Sequence, residues 1–232
     1  MKKFFVITTM IISALTASAQ YEPGTLSVQP RIGGTGALMT NTPALDAKFL
    51  GKKLDSEPTG GVIVGADLEY QLSSLVSLSA GVNWAQAGSG WKNYKEKDNG
   101  MTLEVKDLKI ETSYLNVPIT ANFYIWKGLA IRSGVQFGFL TSAKYKATMQ
   151  ISGKDSGVNV NSTTDVDESC KDEFEKFDLS IPVGLSYEFN NHLVIDLRYN
   201  IGLTKVNKES VDGVKDSRNG VASITIGYKL KL

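Results

Sequence analysis

From residue 26 to the C-terminus the chain repeatedly alternates apolar and polar side chains with a period of two, the pattern of β-strands whose faces meet unlike surroundings. The last run is the clearest. Ala222, Ile224, Ile226, Tyr228, Leu230 and Leu232 alternate with Val221, Ser223, Thr225, Gly227, Lys229 and Lys231. Seven earlier runs share the pattern, at residues 26–33, 62–72, 76–84, 115–125, 129–139, 179–189 and 193–203. The alternation predicts eight strands. Only Ser73-Ser74, Lys127-Gly128 and Asn190-Asn191-His192 separate strands two and three, four and five, and six and seven, so these are hairpin turns. The other gaps, 37–60, 87–111, 142–176 and 204–218, are long, contain the charge runs 92–98 and 165–176, and read as loops. Tight turns at one end and long loops at the other are the layout of an up-and-down barrel of the outer-membrane type.

Alternation alone leaves open which face points inward. A soluble barrel would turn its apolar set inside and its polar set to water, where lysine and glutamate should abound. The chain has 21 lysines, yet only Lys229 and Lys231 fall on the polar face of the strands. That face is glycine, serine, threonine, asparagine and glutamine, with Arg31, Arg132 and Arg198 set against Asp67, Glu69, Asp178, Glu188 and Asp196. Small residues with balanced ions suit a narrow lumen, where buried charges must be paired. Pro118 and Pro182 share this face, each removing a ladder donor. The apolar face places Tyr70, Trp84, Phe123, Tyr187, Phe189 and Tyr228 near strand ends, as aromatic girdles would be. The reading is therefore an all-β chain: an eight-stranded antiparallel up-and-down transmembrane β-barrel whose lipid partner is the outer membrane.

Composition narrows the chemistry. After the first twenty residues no apolar run is long enough for a spanning helix. A formal net charge of +1 and the lack of a basic, aromatic-rich patch leave nothing to hold nucleic acid. One cysteine and one histidine exclude an intramolecular disulfide and multi-histidine metal chemistry, and no cofactor is expected. At the N-terminus, Lys2-Lys3, an apolar stretch through Leu15 and Ala17-Ser18-Ala19 have the form of a secretory signal. Residues 1–19 are read as that signal, cut before Gln20, and residues 20–232 as the barrel domain with both termini periplasmic.

Several motifs resemble the PorT-like outer-membrane β-barrel family of Bacteroidetes-type bacteria. They are Tyr114-Leu115-Asn116-Val117-Pro118-Ile119, the run Gly134-Val135-Gln136-Phe137-Gly138-Phe139-Leu140-Thr141-Ser142-Ala143-Lys144, and Phe177-Asp178-Leu179. Gly184-Leu185-Ser186-Tyr187-Glu188-Phe189, Arg198-Tyr199-Asn200-Ile201-Gly202-Leu203 and Ile226-Gly227-Tyr228-Lys229-Leu230 continue the likeness. The resemblance implies an eight-stranded barrel with periplasmic termini; some members of that family assist protein secretion. The chain departs from it by ending Lys229-Leu230-Lys231-Leu232, without the terminal aromatic of many barrel insertion signals.

The interior of an eight-stranded barrel is filled by side chains, so a solute channel is not expected. Arg31, Asp67, Glu69, Arg132, Asp178, Glu188, Asp196, Arg198 and Lys229 are read as a structural charge network in the lumen. Glu69, Arg132, Glu188, Asp196 and Lys229, close to the short turns, are expected to form one cluster there. His192 lies in a periplasmic turn, the wrong end for a rim hydrolase triad. Asp165 and Asp167 lack the glycine and bidentate glutamate of a calcium loop and belong to a solvated acidic loop, with Cys170 a free thiol or an intermolecular one. Residues 37–60 carry Ala37-Leu38-Met39, Ala44-Leu45 and Phe49-Leu50, apolar enough to cap the barrel mouth. The expected role is non-enzymatic: envelope structure, contact with other envelope or secretion-system proteins through the outer loops, or service as a secretion accessory. Two alternatives stand beside it, a lipid-modifying barrel enzyme and a soluble lipocalin-like binder.

Overall fold

The computed structural model describes residues 21–40, 55–98, 101–155, 158–208 and 216–232. The expected signal at residues 1–19, and Ala44, Leu45, Phe49 and Leu50, lie outside them. Eight long strands pair antiparallel in a closed ring: β1 (Leu26–Thr40), β3 (Thr59–Gln71), β4 (Val76–Trp91), β6 (Met101–Trp126), β7 (Leu129–Asp155), β9 (Phe177–Glu188), β10 (Leu193–Gly202) and β11 (Arg218–Tyr228). Neighbours in the ring are neighbours in sequence, and β11 returns to β1 from Arg31↔Gly227 to Thr40↔Arg218. Four shorter strands extend the sheet: β2 (Ser56–Glu57) on β4, β5 (Tyr94–Asp98) on β6, β8 (Val158–Ser169) on β7 and β12 (Leu230–Lys231) on β1.

The apolar face is outside. Leu197, Ile224 and Ile226 are about half exposed, whereas Asp196 is 0% and Arg198 5% exposed. The same division runs round the ring, from Ile32 and Leu68 through Leu78, Ile119 and Val135 to Leu185. The faces of a soluble binder are thus reversed. Exposed Tyr70, Phe123, Trp126, Phe189 and Tyr228 surround the short-turn end, while Phe139, Phe177 and Tyr199 lie exposed further along their strands. Phe139 and Phe177 face each other across β7 and β9 with ring centres 5.8 Å apart.

The two interior prolines are accommodated by matching gaps in the ladder. Pairing of β4 with β6 runs to Ala80↔Ile119 and resumes at Asn83↔Asn116, so the register places Gly81 opposite Pro118. Pairing of β7 with β9 breaks between Ser133↔Val183 and Gln136↔Ser180, placing Gly134 opposite Pro182. The opposite seams, Pro118↔Gln136 and Asn200↔Pro182, are continuous. Each proline therefore interrupts one seam only, the side on which its missing N–H would point. At Gly81 the lack of a side chain has a second use, because a Cβ there would run into the Asp67 carboxylate.

Two of the expected loops are largely strand, which corrects the reading of 87–111 and 142–176. β4, β6 and β7 continue well past the apolar outer face, and β5 and β8 pair with β6 and β7 to widen the sheet. The charge runs lie in these hairpins: residues 94–98 form β5, and Asp165 and Asp167 sit on β8 opposite Thr148 and Lys146. Strand pairing persists because β-branched and charged residues alternate across it, as in Lys144–Asp167 at 3.1 Å and Lys146–Glu111 at 2.8 Å. Residues 37–40, expected to begin a capping loop, complete β1, with Ala37 and Met39 turned inward.

Two interruptions re-aim the side chains. A register shift beside Ser113/Tyr114 leaves Thr141 unpaired, so Leu140 and Ala143 both face inward. A second lies between Lys106 and Lys109, with Asp107 at φ 52°, and turns both Val105 and Leu108 into a small core with Trp91, Tyr94 and Ala147. The extension thus has an apolar core of its own.

The packing around Gly81 is testable. Gly81→Ala is expected to cost about 1–3 kcal/mol, the usual scale of overpacking. Gly36→Ala, where a Cβ meets nothing within 4 Å, should stay within about 0.5 kcal/mol of the parent chain. Denaturant midpoints of the two variants side by side provide the measurement.

Candidate functional site

The interior of the ring is the candidate site, and alternation builds it. Odd positions of β1 and β3 and even positions of β10 point inward, bringing Arg31, Asp67, Asp196 and Arg198 to one level. Arg132 joins them from β7. Arg31 Nε lies 3.1 Å from Asp67, Arg132 Nη1 2.7 Å from Asp196, and Arg198 Nε 3.3 Å from Asp196. Arg132 also donates to Asn122 at 2.7 Å and to Ser79 at 3.1 Å. Room for three guanidinium groups comes from their cross-strand neighbours: Gly65 and Gly227 flank Arg31, and Gly184 lies between Arg132 and Arg198.

A second group lies nearer the short turns. Lys229 Nζ contacts Glu188 at 2.9 Å and Glu69 at 3.2 Å, while Glu69 accepts from the Tyr124 hydroxyl at 2.5 Å and from Ser77 at 2.7 Å. Asn122 joins the two groups by donating to both Ser77 and Ser79. The five residues expected as one cluster thus lie in one connected network with two centres: Arg132 and Asp196 in the arginine group, and Glu69, Glu188 and Lys229 in the lysine group. Distance from a turn does not account for strand stagger, which sets side-chain height.

Formal charge balances between the groups. Three arginines and two aspartates leave one positive charge; one lysine and two glutamates leave one negative charge. Isolated buried ions would each cost several kcal/mol, and dense reciprocal pairing offsets that cost.

Asp178 stands apart. Its carboxylate accepts from Thr204 at 2.8 Å and from the Asn219 amide at 3.4 Å, and it has no ion pair among the described residues. The expected opposition of Asp178 to the arginines is corrected: Gly184, the partner of Arg198, lies six residues further along β9. Around Asp178 the lining is polar but uncharged, with Asn116, Gln136, Asn200 and Ser223 about a cavity of about 20 Å³. Above it Ala37, Met39, Tyr114, Leu140, Val206 and Val221 form an apolar layer. That layer fills the outer end of the lumen; sequence alone places Ala37, Met39 and Val206 in loops, and Val221 on the inward face of the last strand.

At the opposite end His192 Nδ1 lies 3.2 Å from Glu188 and 3.0 Å from the Tyr21 hydroxyl, with Tyr21 stacked on its ring. Burial, followed by the nearby Glu188 carboxylate, pushes the Tyr21 phenol up to about 12, so it remains a neutral hydrogen-bonding group in ordinary buffers. Tyr21 was not singled out from sequence, since it precedes the first alternating run. Cys170 borders the apolar layer at the outer end, and burial, then Glu173, raises its thiol above the ordinary range.

A protein-family model, described as outer membrane protein beta-barrel domain, matches residues 18–208. The chain belongs to that family, and its location is the outer membrane. Among solved structures it is similar to the attachment invasion locus protein Ail of Yersinia pestis, at 15% identity over 90% of this chain and 99% of that one, with a TM-score of 0.40. Neisserial surface protein A is 15% identical over 88% and 97% of the two chains, with a TM-score of 0.39. OprG from Pseudomonas aeruginosa is 12% identical over 92% and 100%, with a TM-score of 0.34. No curated protein matches the chain.

The arginine group yields a double-mutant test. Arg132→Met leaves Asp196 with one fewer partner and should cost about 3–5 kcal/mol, the scale for breaking a buried ion pair. Arg132→Met with Asp196→Asn should cost clearly less than the sum of the single changes, because the uncompensated carboxylate is gone. Equilibrium unfolding of the folded, lipid-reconstituted chain checks both; strict additivity would contradict the pairing.

Proposed function

We propose that this outer-membrane protein is a non-enzymatic integral β-barrel of eight strands whose interior is a structural plug and whose outer sheet meets other envelope proteins. The observation that carries the reading is the division of faces: half-exposed aliphatic side chains outside, and a reciprocally paired ion network inside. Such an exterior suits acyl chains, and the closed ring leaves no unpaired strand edge within them. Nine interior residues, Arg31, Asp67, Glu69, Arg132, Asp178, Glu188, Asp196, Arg198 and Lys229, act as packing and register elements in this reading. The hairpin turns face the periplasm, with both termini on that side after removal of the signal.

The outer sheet is the part built for contact. β8 pairs with β7 along one side, and among the described residues no strand pairs with its other side. Its side chains from Asn161 to Asp165 are exposed. A core of Trp91, Tyr94, Val105, Leu108 and Ala147, with Met149 and Val166 against it, holds the sheet in shape. Assignment to the PorT-like subgroup, and with it a secretion-accessory role, rests on the sequence motifs alone.

Two experiments test this. Ile224→Arg, at the middle of the outer face, should lower stability in lipid vesicles by about 2–4 kcal/mol. A change within about 0.5 kcal/mol would mark a water-exposed surface instead. Separately, Thr148 and Asp165 face each other across the β7–β8 hairpin, so residues 149–164 can be replaced by a short turn. That variant should keep membrane fractionation and heat-modifiable gel mobility while losing the protein cross-linked to the parent chain in native membranes. Retention of the same cross-linked partner would exclude the outer sheet as the contact surface.

A further inference from the structure

The chain reverses sharply before it enters the ring. Glu22-Pro23-Gly24-Thr25 has the form of a type II turn, with proline second and glycine third. The turn is present: the Thr25 N–H donates to the Glu22 carbonyl at 3.1 Å, and Gly24 has φ 88°. It is fastened to β3, because the Gly24 N–H donates to the Gln71 carbonyl at 2.8 Å and the Gln71 N–H to that of Thr25 at 2.9 Å. Tyr21 is thereby sent across the short-turn end of the ring to the turn between β9 and β10. There it stacks on His192 with ring centres 5.7 Å apart, and Lys229 Nζ lies 5.6 Å from the centre of its ring. His192 is held to receive it: its N–H donates to the Phe189 carbonyl and its own carbonyl accepts from the Lys229 N–H, both at 2.9 Å, with φ 65°. Tyr228 meets the imidazole edge-on, 6.4 Å between centres.

We propose that Tyr21–Thr25 is a hinged lid over the short-turn end of the lumen, with Gly24 as its hinge and the Tyr21 ring as its cover on the lysine group. That group is the part of the ion network nearest this end, yet the Lys229 and Glu188 side chains are only 3% and 2% exposed. The ring sets its π face within reach of an ammonium already paired by Glu69 and Glu188, a contact that attracts the cation while excluding water. The hinge is unencumbered, since a Cβ on Gly24 would meet nothing within 4 Å. The cover is therefore kept shut by the contacts of Tyr21 with His192 and Lys229. Lifting Tyr21 about Gly24 breaks no pairing among the eight ring strands, whose registers begin at Leu26. Shut, the lid keeps the lysine group in a dry setting, where its ion pairs are strongest; open, it admits water to the ammonium and both carboxylates.

Ser27 reports on the space beneath the lid: it faces inward on β1 opposite Glu69 and is 3% exposed. The reference for the test is the full-length chain with Ser27→Cys and Cys170→Ser, folded in detergent and treated with a small neutral methanethiosulfonate at fixed pH. Heat-modifiable gel mobility certifies each variant as folded, and mass spectrometry gives the modification rate. Adding Tyr21→Ala should raise that rate by about tenfold or more, as loss of a local closing contact does. Tyr21→Phe retains the stacked ring and should stay within about threefold of the reference. His192→Asn suits the left-handed turn but removes the imidazole face, so it should also speed modification, and it supplies the reading if Tyr21→Ala does not fold. A reference thiol modified as fast as in Tyr21→Ala and His192→Asn would mean that the tyrosine closes nothing, and would overturn the proposal. Equally slow modification in all the variants would mean that the ion network seals itself, and would overturn it as well. Membrane fractionation of the same samples reports separately on the barrel reading.

Discussion

Ten residue pairs between β1 and β11 close the ring, and the other features of the molecule are subordinate to that closure. A strand in hydrocarbon has no water for its N–H and C=O groups, so an open sheet edge there would leave a row of them unsatisfied. Joining the first ring strand to the last removes the edge. It also sets the interior width, which at eight strands admits side chains and little else. Every inward residue must consequently fit its neighbours on two adjoining strands. This is why glycines lie beside the guanidinium groups and why Gly81 yields space to Asp67.

Within that width the interior changes character along its length. Ions crowd the half nearer the short turns, amides and hydroxyls occupy the region of Asp178, and aliphatic residues with Tyr114 close the outer mouth. Each zone satisfies a different demand. The ion groups bind four or five strands together by directional contacts, which penalises a slipped register because a shift by one residue would expel the charges into lipid. The apolar zone seals the end from which water would otherwise enter. The intermediate zone is the least self-sufficient, since its polar atoms outnumber their protein partners.

The strands, their order and the inward face were all legible as period-two alternation, and the sparse lysine on the polar face was enough to orient it. Two things were not. The outer parts of β6 and β7 lose the hydrophobic alternation because water, and no longer lipid, meets their outer side, so Lys106, Lys109 and Glu111 occupy positions that deeper in the ring are aliphatic or small. Bulges at Thr141 and Asp107 then break the phase, and a period test fails where the backbone still continues as strand. Heights were the second failure. Alternation assigns Arg132 and Glu188 to one face, but ring stagger separates their groups and moves Asp178 away from every arginine. The signal for that lay in counting residues from each turn and adding the shift between neighbours, which requires the register itself.

The same two bulges connect structure to role. If β6 and β7 kept one phase throughout, Leu108 and Ala147 could not both join Trp91 and Tyr94, and the extension would have no core to stiffen it. A thin two-faced ribbon in water is marginal without a buried face. By shifting phase near the outer rim, the chain exchanges a core shared round the ring for a local one on one side of it. Stiffness then extends beyond the lipid boundary, and the exposed side of β8 is held at a defined distance from the membrane. A partner meeting such a surface orders little of it on binding, so less of its interaction energy is lost to conformational entropy than with an unstructured loop. In the proposed reading the extension, and not the lumen, is accordingly where contact with another molecule is most economically placed.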